Sequence, residues 1–456
     1  MLKRTRSFLV LVMLLMTVTM SAQVTTATMS GKVTAQDEPI IGATIVAIHE
    51  PSGTRYGTVT NVSGQFNLQG MRTGGPYKVE ISYVGYQTAI YKGINLLLGE
   101  NYVLNVSLKE SSELLEEVVV TASKESNMKS DRAGAIMNAN RDMISNTPTI
   151  SRSISDIMRL SPQGADVGNG FAVGGGNYRQ SFVTVDGAAF NNTFGLGGNL
   201  PANGSPISLD ALEQVTVAVT PFDVRQSGFT GGAINAVTRS GDNQFRGTAY
   251  MYFNNENLKG SKVDDYELLR SKAQYYTYGA SFGGPIIKDK LFFFVNGEYE
   301  DNVTAGSNYR PRTALGESYS GGNIHRPLQS DMDDMRGFLL NKYNFDPGKY
   351  NDYSTDTPAY RVMARVDWNA NQNNKVSFRF TKTHTKDSNF PTSSVSPLST
   401  SALYPGGTST EVIDGKPVGT IAPGQGRTSK YALSFSNSNY YQVRDFTSVA
   451  GEWNSR

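Results

Sequence analysis

Cysteine is absent from the 456 residues of this sequence, and histidine (three) and tryptophan (two) are scarce. The lack of cysteine excludes disulfide bonds and thiolate metal ligands. His49, His325 and His384 lie far apart in the sequence, and no HExxH motif accompanies them. The sequence therefore predicts no catalytic residue, no metal site and no cofactor, and we do not expect an enzyme. His49 is expected at the surface or at a strand end.

An excess of one charge is also missing, since 42 basic residues face 40 acidic ones and the net charge is +2. A nucleic-acid-binding protein would carry a basic patch or stripe, so nucleic acid is not an expected partner. Glycine (46), tyrosine (24) and phenylalanine (21) are abundant instead. This composition is typical of β-sheet with tight turns. The length exceeds one ordinary domain and predicts about three units.

The first residues have the layout of a secretory signal peptide. Lys3, Arg4 and Arg6 precede an apolar run over 8–18, and small residues then lead to Ala22 and Gln23. This pattern predicts a signal peptide over 1–22, cleaved between Ala22 and Gln23. The apolar run is shorter than the ~20 residues of a spanning helix. No later run reaches that length, so a mature chain that spans a membrane must do so as a barrel.

Residues 23–110 are expected to form one β-sandwich. Short segments with glycine and proline between them are typical of such a fold. The predicted strands cover residues 28–33, 43–48, 54–60, 65–68, 77–83 and 102–108.

A short apolar stretch, Val118 to Thr121, interrupts the polar linker 111–134. One interpretation makes it the last strand of the preceding sandwich. The other makes it a strand kept free for capture by the sheet edge of another protein, through main-chain hydrogen bonds. The residues alone leave both interpretations open.

Residues 135–241 are expected to form a mixed α/β unit. The spacing of apolar residues predicts a helix over 151–160, which Pro162 ends. Strands are predicted at 182–185, 215–219 and 231–238, with a tight turn at Asp186-Gly187. The run of glycines at 174–176 lacks the spacing of a phosphate-binding loop and is expected to be a flexible apex.

From residue 242 onward the sequence alternates between apolar and polar residues over long segments. In 360–369 the apolar residues Tyr360, Val362, Val366 and Trp368 alternate with polar or charged ones. Strands of about ten residues with this pattern are typical of membrane barrels, with apolar side chains toward lipid and polar ones toward the lumen. The other strands are predicted near 245–254, 275–285, 290–300, 374–384 and 431–436.

The connections between these strands alternate between tight turns and long polar loops, which is the usual arrangement of such barrels. The long loops are predicted at about 301–358 and 386–427. The first contains Asp331, Asp333 and Asp334, which could suggest a calcium site. A solvated acidic run is the favoured interpretation.

Taken together, these motifs resemble TonB-dependent outer-membrane receptors of the Bacteroidetes type, in particular the Oar-like group, which carry an N-terminal carboxypeptidase-regulatory-like domain. The segments that resemble this domain are 31–33, 39–45, 60–66 and 82–86. By this resemblance the TonB box comprises Glu116, Glu117, Val118, Val119, Val120, Thr121 and Ala122. The plug motifs are Val173, Gly174, Gly175, Gly176, Asn177, Asp186, Gly187, Gly231 and Gly232.

The resemblance implies a mainly β protein with five parts. These are a signal peptide (1–22), the regulatory-like β-sandwich (23–110), a linker with the TonB box (111–134), an α/β plug (135–241) and the first part of a transmembrane antiparallel β-barrel (242–456). The family barrel has about 22 strands, whereas we count about seven here. We therefore expect the chain to be a fragment or a truncated product.

The resemblance also implies a function in the outer membrane, with the plug and N-terminal domain on the periplasmic side. TonB of the inner-membrane energising complex would drive uptake of an unidentified solute, and membrane lipid would surround the barrel. The related SusC group works with a lipoprotein lid, but its plug motifs match less closely, which makes a lid a weaker candidate partner. An adhesin or a secretion-related surface protein on the same scaffold is the alternative.

Overall fold

The computed structural model shows a mainly β chain built from three units. It describes residues 25–110, 118–121, 136–149, 152–167, 170–192, 198–200, 205–219, 230–258, 260, 262–263, 266–267, 272–307, 309–319, 323–389, 412–413, 416–417 and 432–455. The predicted signal peptide and its cleavage site, Ala22 and Gln23, lie outside the described residues.

The N-terminal unit is a sandwich of two five-stranded sheets. Its strands are β1 (Ala27–Ala35), β2 (Glu38–Pro39), β3 (Thr44–His49), β4 (Thr54–Val59), β5 (Gln65–Met71), β6 (Gly74–Ser82), β7 (Ala89–Leu96), β8 (Asn101–Val103), β9 (Val106–Ser107) and β10 (Val118–Thr121). One sheet has the order β2-β1-β5, with β8 and β9 also paired to β1, and the other has the order β10-β7-β6-β3-β4.

Alternation of buried and more exposed residues along most strands creates the core of the sandwich. Met29, Val33, Ile45, Leu68 and Ile81 are fully buried within one cluster. Each such side chain contributes about 1.5–3 kcal/mol when it leaves water. Because successive side chains point to opposite faces of a strand, this pattern requires two sheets packed face to face.

The central unit is a five-stranded sheet with short helices. Its elements are β11 (Ile136–Asn140), α1 (Arg141–Asn146), α2 (Ile154–Met158), β12 (Gly164–Asp166), β13 (Phe171–Val173), β14 (Phe182–Val185), β15 (Ala188–Ala189), β16 (Leu212–Ala218) and β17 (Ala233–Thr238). The sheet order is β11-β16-β17-β14-β15, and β14 runs parallel to β17. The predicted helix at 151–160 is shorter in the structure, since only Ile154–Met158 is helical.

The third unit is a sheet of long antiparallel strands. Its strands and helix are β18 (Arg246–Asn255), β19 (Lys262–Val263), β20 (Tyr266–Glu267), β21 (Gln274–Ile287), β22 (Leu291–Ala305), β23 (Arg310–Arg312), β24 (Ile324–Leu328), α3 (Gln329–Tyr343), β25 (Ser354–Asp356), β26 (Ala359–Asn369), β27 (Asn374–Asn389), β28 (Val412–Ile413), β29 (Lys416–Pro417) and β30 (Tyr440–Ser455). The long strands follow the order β18-β21-β22-β26-β27-β30. Within the described residues the sheet is open, with β18 and β30 as its outer strands.

The long strands have one apolar outer face and one polar inner face, as predicted. They are 10 to 16 residues long, against about five or six in soluble proteins. Exposed apolar side chains lie on the outer face, including Phe282, Val295, Tyr360, Val366 and Phe378. No helix among the described residues is both long and apolar enough to cross a membrane.

Both tryptophans of the chain lie on the outer face of this sheet and in the same cross-strand row. Trp368 of β26 is opposite Val376 of β27, which is opposite Trp453 of β30. Both indole rings are exposed, at 50% and 71%. The row lies beside the tight turn at 370–373, so it marks one edge of the apolar band.

Two features of this unit differ from the sequence expectations. The connection between β22 and β26 was expected to be a long polar loop, and it contains the 15-residue helix α3, which was not predicted. The strand expected at 431–436 is not formed over 432–435. There Phe435 packs edge-on against Tyr350, and the carbonyl of Ala432 is 2.7 Å from Nδ1 of His325. Phe435, one of the apolar residues that had suggested a strand, is thus packed within a loop.

Candidate functional site

The inner face of the long-stranded sheet holds three buried arginines that face the central unit. Arg361 and Arg365 belong to β26 and Arg379 to β27. They are 3%, 7% and 6% exposed. Because side chains alternate along a strand, the even spacing of 361 and 365 places both on the same face. A buried guanidinium requires partners, and the structure provides them in two groups.

Arg361 is the centre of the first group. Its Nη1 lies 2.9 Å from Oε1 of Glu298 and 2.6 Å from Oε1 of Glu300, both on β22. Its Nε donates to the carbonyl oxygen of Ser205 in the central unit. Ser208 donates from Oγ to Glu298 Oε2 at 2.9 Å. The central unit thus completes the hydrogen bonding of charges that belong to the sheet.

Asp186, one of the predicted plug residues, is the centre of the second group. It occupies the predicted tight turn after β14, with a φ of +49°, and Gly187 follows with +79°. Its carboxylate accepts from the backbone N–H of Thr238 at 3.0 Å. Arg365 Nη1 is 3.5 Å from Oδ1, and Arg379 Nε is 3.8 Å from Oδ2. The turn is therefore held between arginines of two neighbouring strands.

The two arginines around Asp186 keep other carboxylates as partners on the sheet. Arg365 pairs with Asp367 at 2.9 Å, and Arg379 pairs with Glu452. Arg365 also donates from Nη1 to the carbonyl of Thr238 at 2.9 Å. Removing one partner from a buried pair costs about 3–5 kcal/mol, although the intact pair adds little net stability. Because each buried charge requires its partner, these ion pairs favour one position of the central unit against the sheet, while they add little to the net stability of the fold.

The predicted glycine motifs of the central unit pack against one another. Gly174 and Gly175 have φ values of +64° and +77° after β13. A Cβ added to Gly232 would lie 2.5 Å from Cγ1 of Val173, so only glycine fits there. The N–H of Gly231 donates to the carbonyl of Gln180 at 3.2 Å. The flexible apex was predicted for residues 174–176, where the N–H of Gly174 donates to the carbonyl of Gln163 at 2.9 Å. The packing constraint at Gly232 was not predicted.

Asn177 begins a short 3-10 helix just after these glycines. Its Oδ1 accepts from the N–H of Arg179 at 3.0 Å, and its own N–H donates to Oε1 of Gln180 at 2.8 Å. The motif from Val173 to Asn177 thus ends in a fixed turn beside Gly231 and Gly232. The structure brings these predicted residues together, and it places Asp186 and Gly187 at the other end of β14, which starts at Phe182.

The predicted TonB box lies apart from the central unit, on the sandwich. Strand β10 runs parallel to β7, with Val118 opposite Ala89 and Thr121 opposite Lys92. Glu116, Glu117 and Ala122 lie outside the described residues. The place of the strand in the structure agrees with the interpretation as an additional strand of the sandwich. Its role as a TonB box stays a prediction.

The sandwich contacts both other units on the side of the tight turns. Pro51 accepts through its carbonyl from the N–H of Asn243 at 3.0 Å, and Asn369 donates to Oγ1 of Thr54 at 2.9 Å. The N–H of Leu98 donates to Oε1 of Gln214 in β16 at 3.1 Å. The sandwich is therefore docked beneath the central unit and beside the sheet.

His49 lies near this docking region and is buried, at the end of β3. The expectation of a strand end is correct, but a surface position is not. Its Nδ1 is 2.7 Å from Oγ of Ser52, and its ring lies 5.0 Å from that of Tyr77. Burial, with a smaller effect from Arg72 and Lys375, holds the pKa of His49 well below its ordinary value of 6.5. Among the described residues no group of acidic or histidine side chains could hold a metal ion.

Sequence reasoning missed the buried arginines and their carboxylate partners. The sequence offered little signal for their burial, because charged side chains on the inner face of a barrel strand are equally compatible with a water-filled lumen. The partner Asp186 was singled out only through its motif.

Two families match the chain. Residues 28–109 match the carboxypeptidase regulatory-like domain, and residues 237–416 match an outer membrane beta barrel domain. The chain is 27% identical over 256 residues to the TonB-dependent transporter Oar of Myxococcus xanthus, covering 55% of this chain and 22% of that protein. It is 28% identical over 269 residues to the TonB-dependent receptor SusC of Bacteroides thetaiotaomicron, covering 56% and 24%.

Solved structures similar to the chain include the siderophore receptor PirA from Acinetobacter baumannii, with 16% identity and a TM-score of 0.38 over 55% of this chain and 31% of that chain. Another is the outer membrane transporter YddB from Escherichia coli, with 12% identity and a TM-score of 0.38 over 57% and 34%. The chain spans less than a quarter of the length of the curated relatives it matches.

Proposed function

We propose that this chain, an outer-membrane protein with a carboxypeptidase regulatory-like domain and an outer membrane β-barrel domain, belongs to a TonB-dependent transporter that imports a solute. In this proposal the central unit is the plug, the long-stranded sheet is part of the barrel wall, and 116–122 is the TonB box. The short turns and the docked sandwich lie on the periplasmic side, as in bacterial barrels generally.

The observation that carries the proposal is the position of Asp186 between Arg365 and Arg379. A transporter must hold its plug in one position at rest and move it during transport. Polar contacts suit this requirement, because water can replace them when the plug moves. A purely apolar interface would expose its surface to water at that moment, at about 25 cal/mol per Å².

The mechanism needs a mechanical link because the outer membrane has no nucleotide supply. A solute bound at the long loops shifts the plug and makes the TonB box accessible. TonB then pairs with Val118–Thr121 through main-chain hydrogen bonds and pulls, using the proton-motive force. Part of the plug moves off the arginine wall, and the solute enters the periplasm. The class of solute is not specified by the described residues.

Deletion of residues 116–122 tests the function. A deletion strain is first grown on defined nutrient sources to find the solute whose uptake depends on the receptor. We expect the receptor lacking 116–122 to reach the outer membrane in normal amounts but to support no uptake. A deletion of equal length in the same linker, residues 124–130, is the matched control and should retain uptake.

Undiminished uptake without 116–122 would contradict the proposal. If surface adhesion were lost instead while uptake continued, the adhesin alternative would be favoured. Loss of uptake in both deletions would show that the linker length, and not the motif, is required.

A further inference from the structure

Strand β10 is an addition to a domain that is complete without it. The match to the regulatory-like family covers 28–109 and ends before β10 begins. The core of the sandwich is likewise formed by residues between Ala27 and Leu108. In the structure β10 is paired with the backbone edge of β7 over four residues.

The pairing of β10 with β7 is short and has a defined end. The register runs from Val118 opposite Ala89 to Thr121 opposite Lys92. The next residue of β7, Gly93, has a φ of +78°, which lies in the left-handed region and interrupts a regular strand edge. Over the described residues, β10 pairs with four residues of β7. A ladder of this length can form and break readily, since it gains few hydrogen bonds while ordering four residues.

A backbone N–H or C=O group of β10 that is hydrogen-bonded to β7 cannot at the same time pair with the sheet of another protein. A strand that is captured through its main chain must leave the edge on which it already lies, or else present only its outer edge. Among the described strands β10 is the outermost of its sheet, with β7 on one side. Docking on β7 therefore restricts how much of β10 another sheet can reach.

We propose that the regulatory-like sandwich holds the TonB-box strand on its β7 edge and competes with TonB for it. This inference rests on the proposed function, because it assumes that β10 is the segment that TonB captures. In the resting receptor the strand is docked, and only the undocked fraction binds TonB. The apparent affinity for TonB is then reduced by that fraction, as for any partner that selects a minor state.

The position of β7 would allow the plug to influence this competition. Leu98, two residues after β7, donates its N–H to Gln214 of the plug and packs against Val237 of β17. A shift of the plug would therefore act on the segment that directly follows the holding strand.

Because these 456 residues contain no cysteine, two introduced cysteines are the only ones in this chain, which allows a direct test by disulfide trapping in outer-membrane preparations. Lys92→Cys with Thr121→Cys joins register partners, whose Cα atoms in neighbouring strands lie about 4.8 Å apart, within disulfide range. Lys92 is exposed, so its replacement leaves the core intact. Arg55→Cys with Thr121→Cys is the control. Arg55 is exposed on β4, at the far edge of the same sheet, roughly 19 Å away across four strand spacings.

We expect mild oxidation to cross-link the Lys92 and Thr121 pair without added solute and to leave the Arg55 and Thr121 pair unlinked. The periplasmic domain of TonB is then used as the probe. Its affinity for the Lys92 and Thr121 variant should fall about tenfold or more on oxidation and recover with reductant. The Arg55 and Thr121 variant should bind equally under both conditions.

The outcomes separate this inference from the function on which it rests. Failure of the 92–121 pair to cross-link, or unchanged TonB binding after complete cross-linking, overturns the competition while leaving the transporter proposal intact. If the reduced variants and the unaltered receptor all fail to bind the TonB domain, the proposed function itself is contradicted.

Discussion

Replacing Asp186 by asparagine should loosen the central unit without disturbing the long-stranded sheet. The carboxylate lies 3.5 Å from Arg365 and 3.8 Å from Arg379. At an effective dielectric constant of 20 these separations correspond to gross attractions of about 5 and about 4 kcal/mol. Desolvation of the carboxylate opposes them, and both arginines keep a second partner, Asp367 or Glu452. We therefore expect a net loss of about 2–3 kcal/mol, below the usual range for breaking a buried pair.

Native-state hydrogen exchange of the detergent-solubilised receptor measures this loss locally. Amides of β14 and β17 should exchange about 30- to 150-fold faster in Asp186→Asn, because each 1.4 kcal/mol is a factor of ten. Amides of β22 and β26 should keep their protection. Asp166→Asn is the matched control: its pair with Arg159 is shorter, at 2.6 Å, but it lies at the surface. Such pairs contribute about 0–1 kcal/mol.

Two results would refute the reasoning about Asp186. One is unchanged exchange in β14 and β17, which would mean that the arginines do not hold the turn. The other is an equal effect in Asp166→Asn, which would mean that burial does not decide the strength of these pairs.

Further predictions concern the packing of the central unit and the pH dependence of the sandwich. Gly232→Ala places a Cβ 2.5 Å from Val173 and should destabilise β17 by about 1–3 kcal/mol in the same exchange assay, whereas Gly316→Ala, with open space around it, should have no effect. The pKa of His49 in the folded state lies below its unfolded value of 6.5, chiefly through burial and then through Arg72. The contribution of His49 to the stability of the fold is therefore present above pH 6.5 and is lost as the pH falls below that value. Exchange protection of β3 should therefore decline by up to about 1.4 kcal/mol per pH unit below 6.5 in the unaltered chain. The variant His49→Gln should show a flatter slope. An unchanged slope in this variant would contradict the assignment of the pH dependence to His49.

The sequence was most informative where a pattern repeats over many residues. The two faces of the long strands could be predicted because alternation over ten or more residues is unambiguous. The partners of Arg361, and the pairing of Arg365 with Asp186, could not, because these groups come from strands and turns that are distant in the sequence. Asp186 and Ser205 meet these arginines only after the central unit is seated.

Short elements were harder to predict, and β7 is the clearest example. Its apolar residues Ala89, Ile90 and Ile94 do not alternate regularly, and Gly93 interrupts the segment. The strand was missed, and with it the edge on which β10 lies. The helix α3 was missed because its face contains acidic residues and a glycine, so it lacks a clear apolar stripe.

The cross-strand row that contains Trp368 and Trp453 has an optical consequence. These are the only indoles of the chain, and both lie at one height on the outer face. Tryptophan emission from this chain, excited selectively over that of its 24 tyrosines, therefore reports from a single depth. In vesicles, lipids brominated at graded positions along their acyl chains should quench the emission most strongly when the bromine lies at that depth. The position of strongest quenching then measures how deep this edge of the apolar band lies in the bilayer.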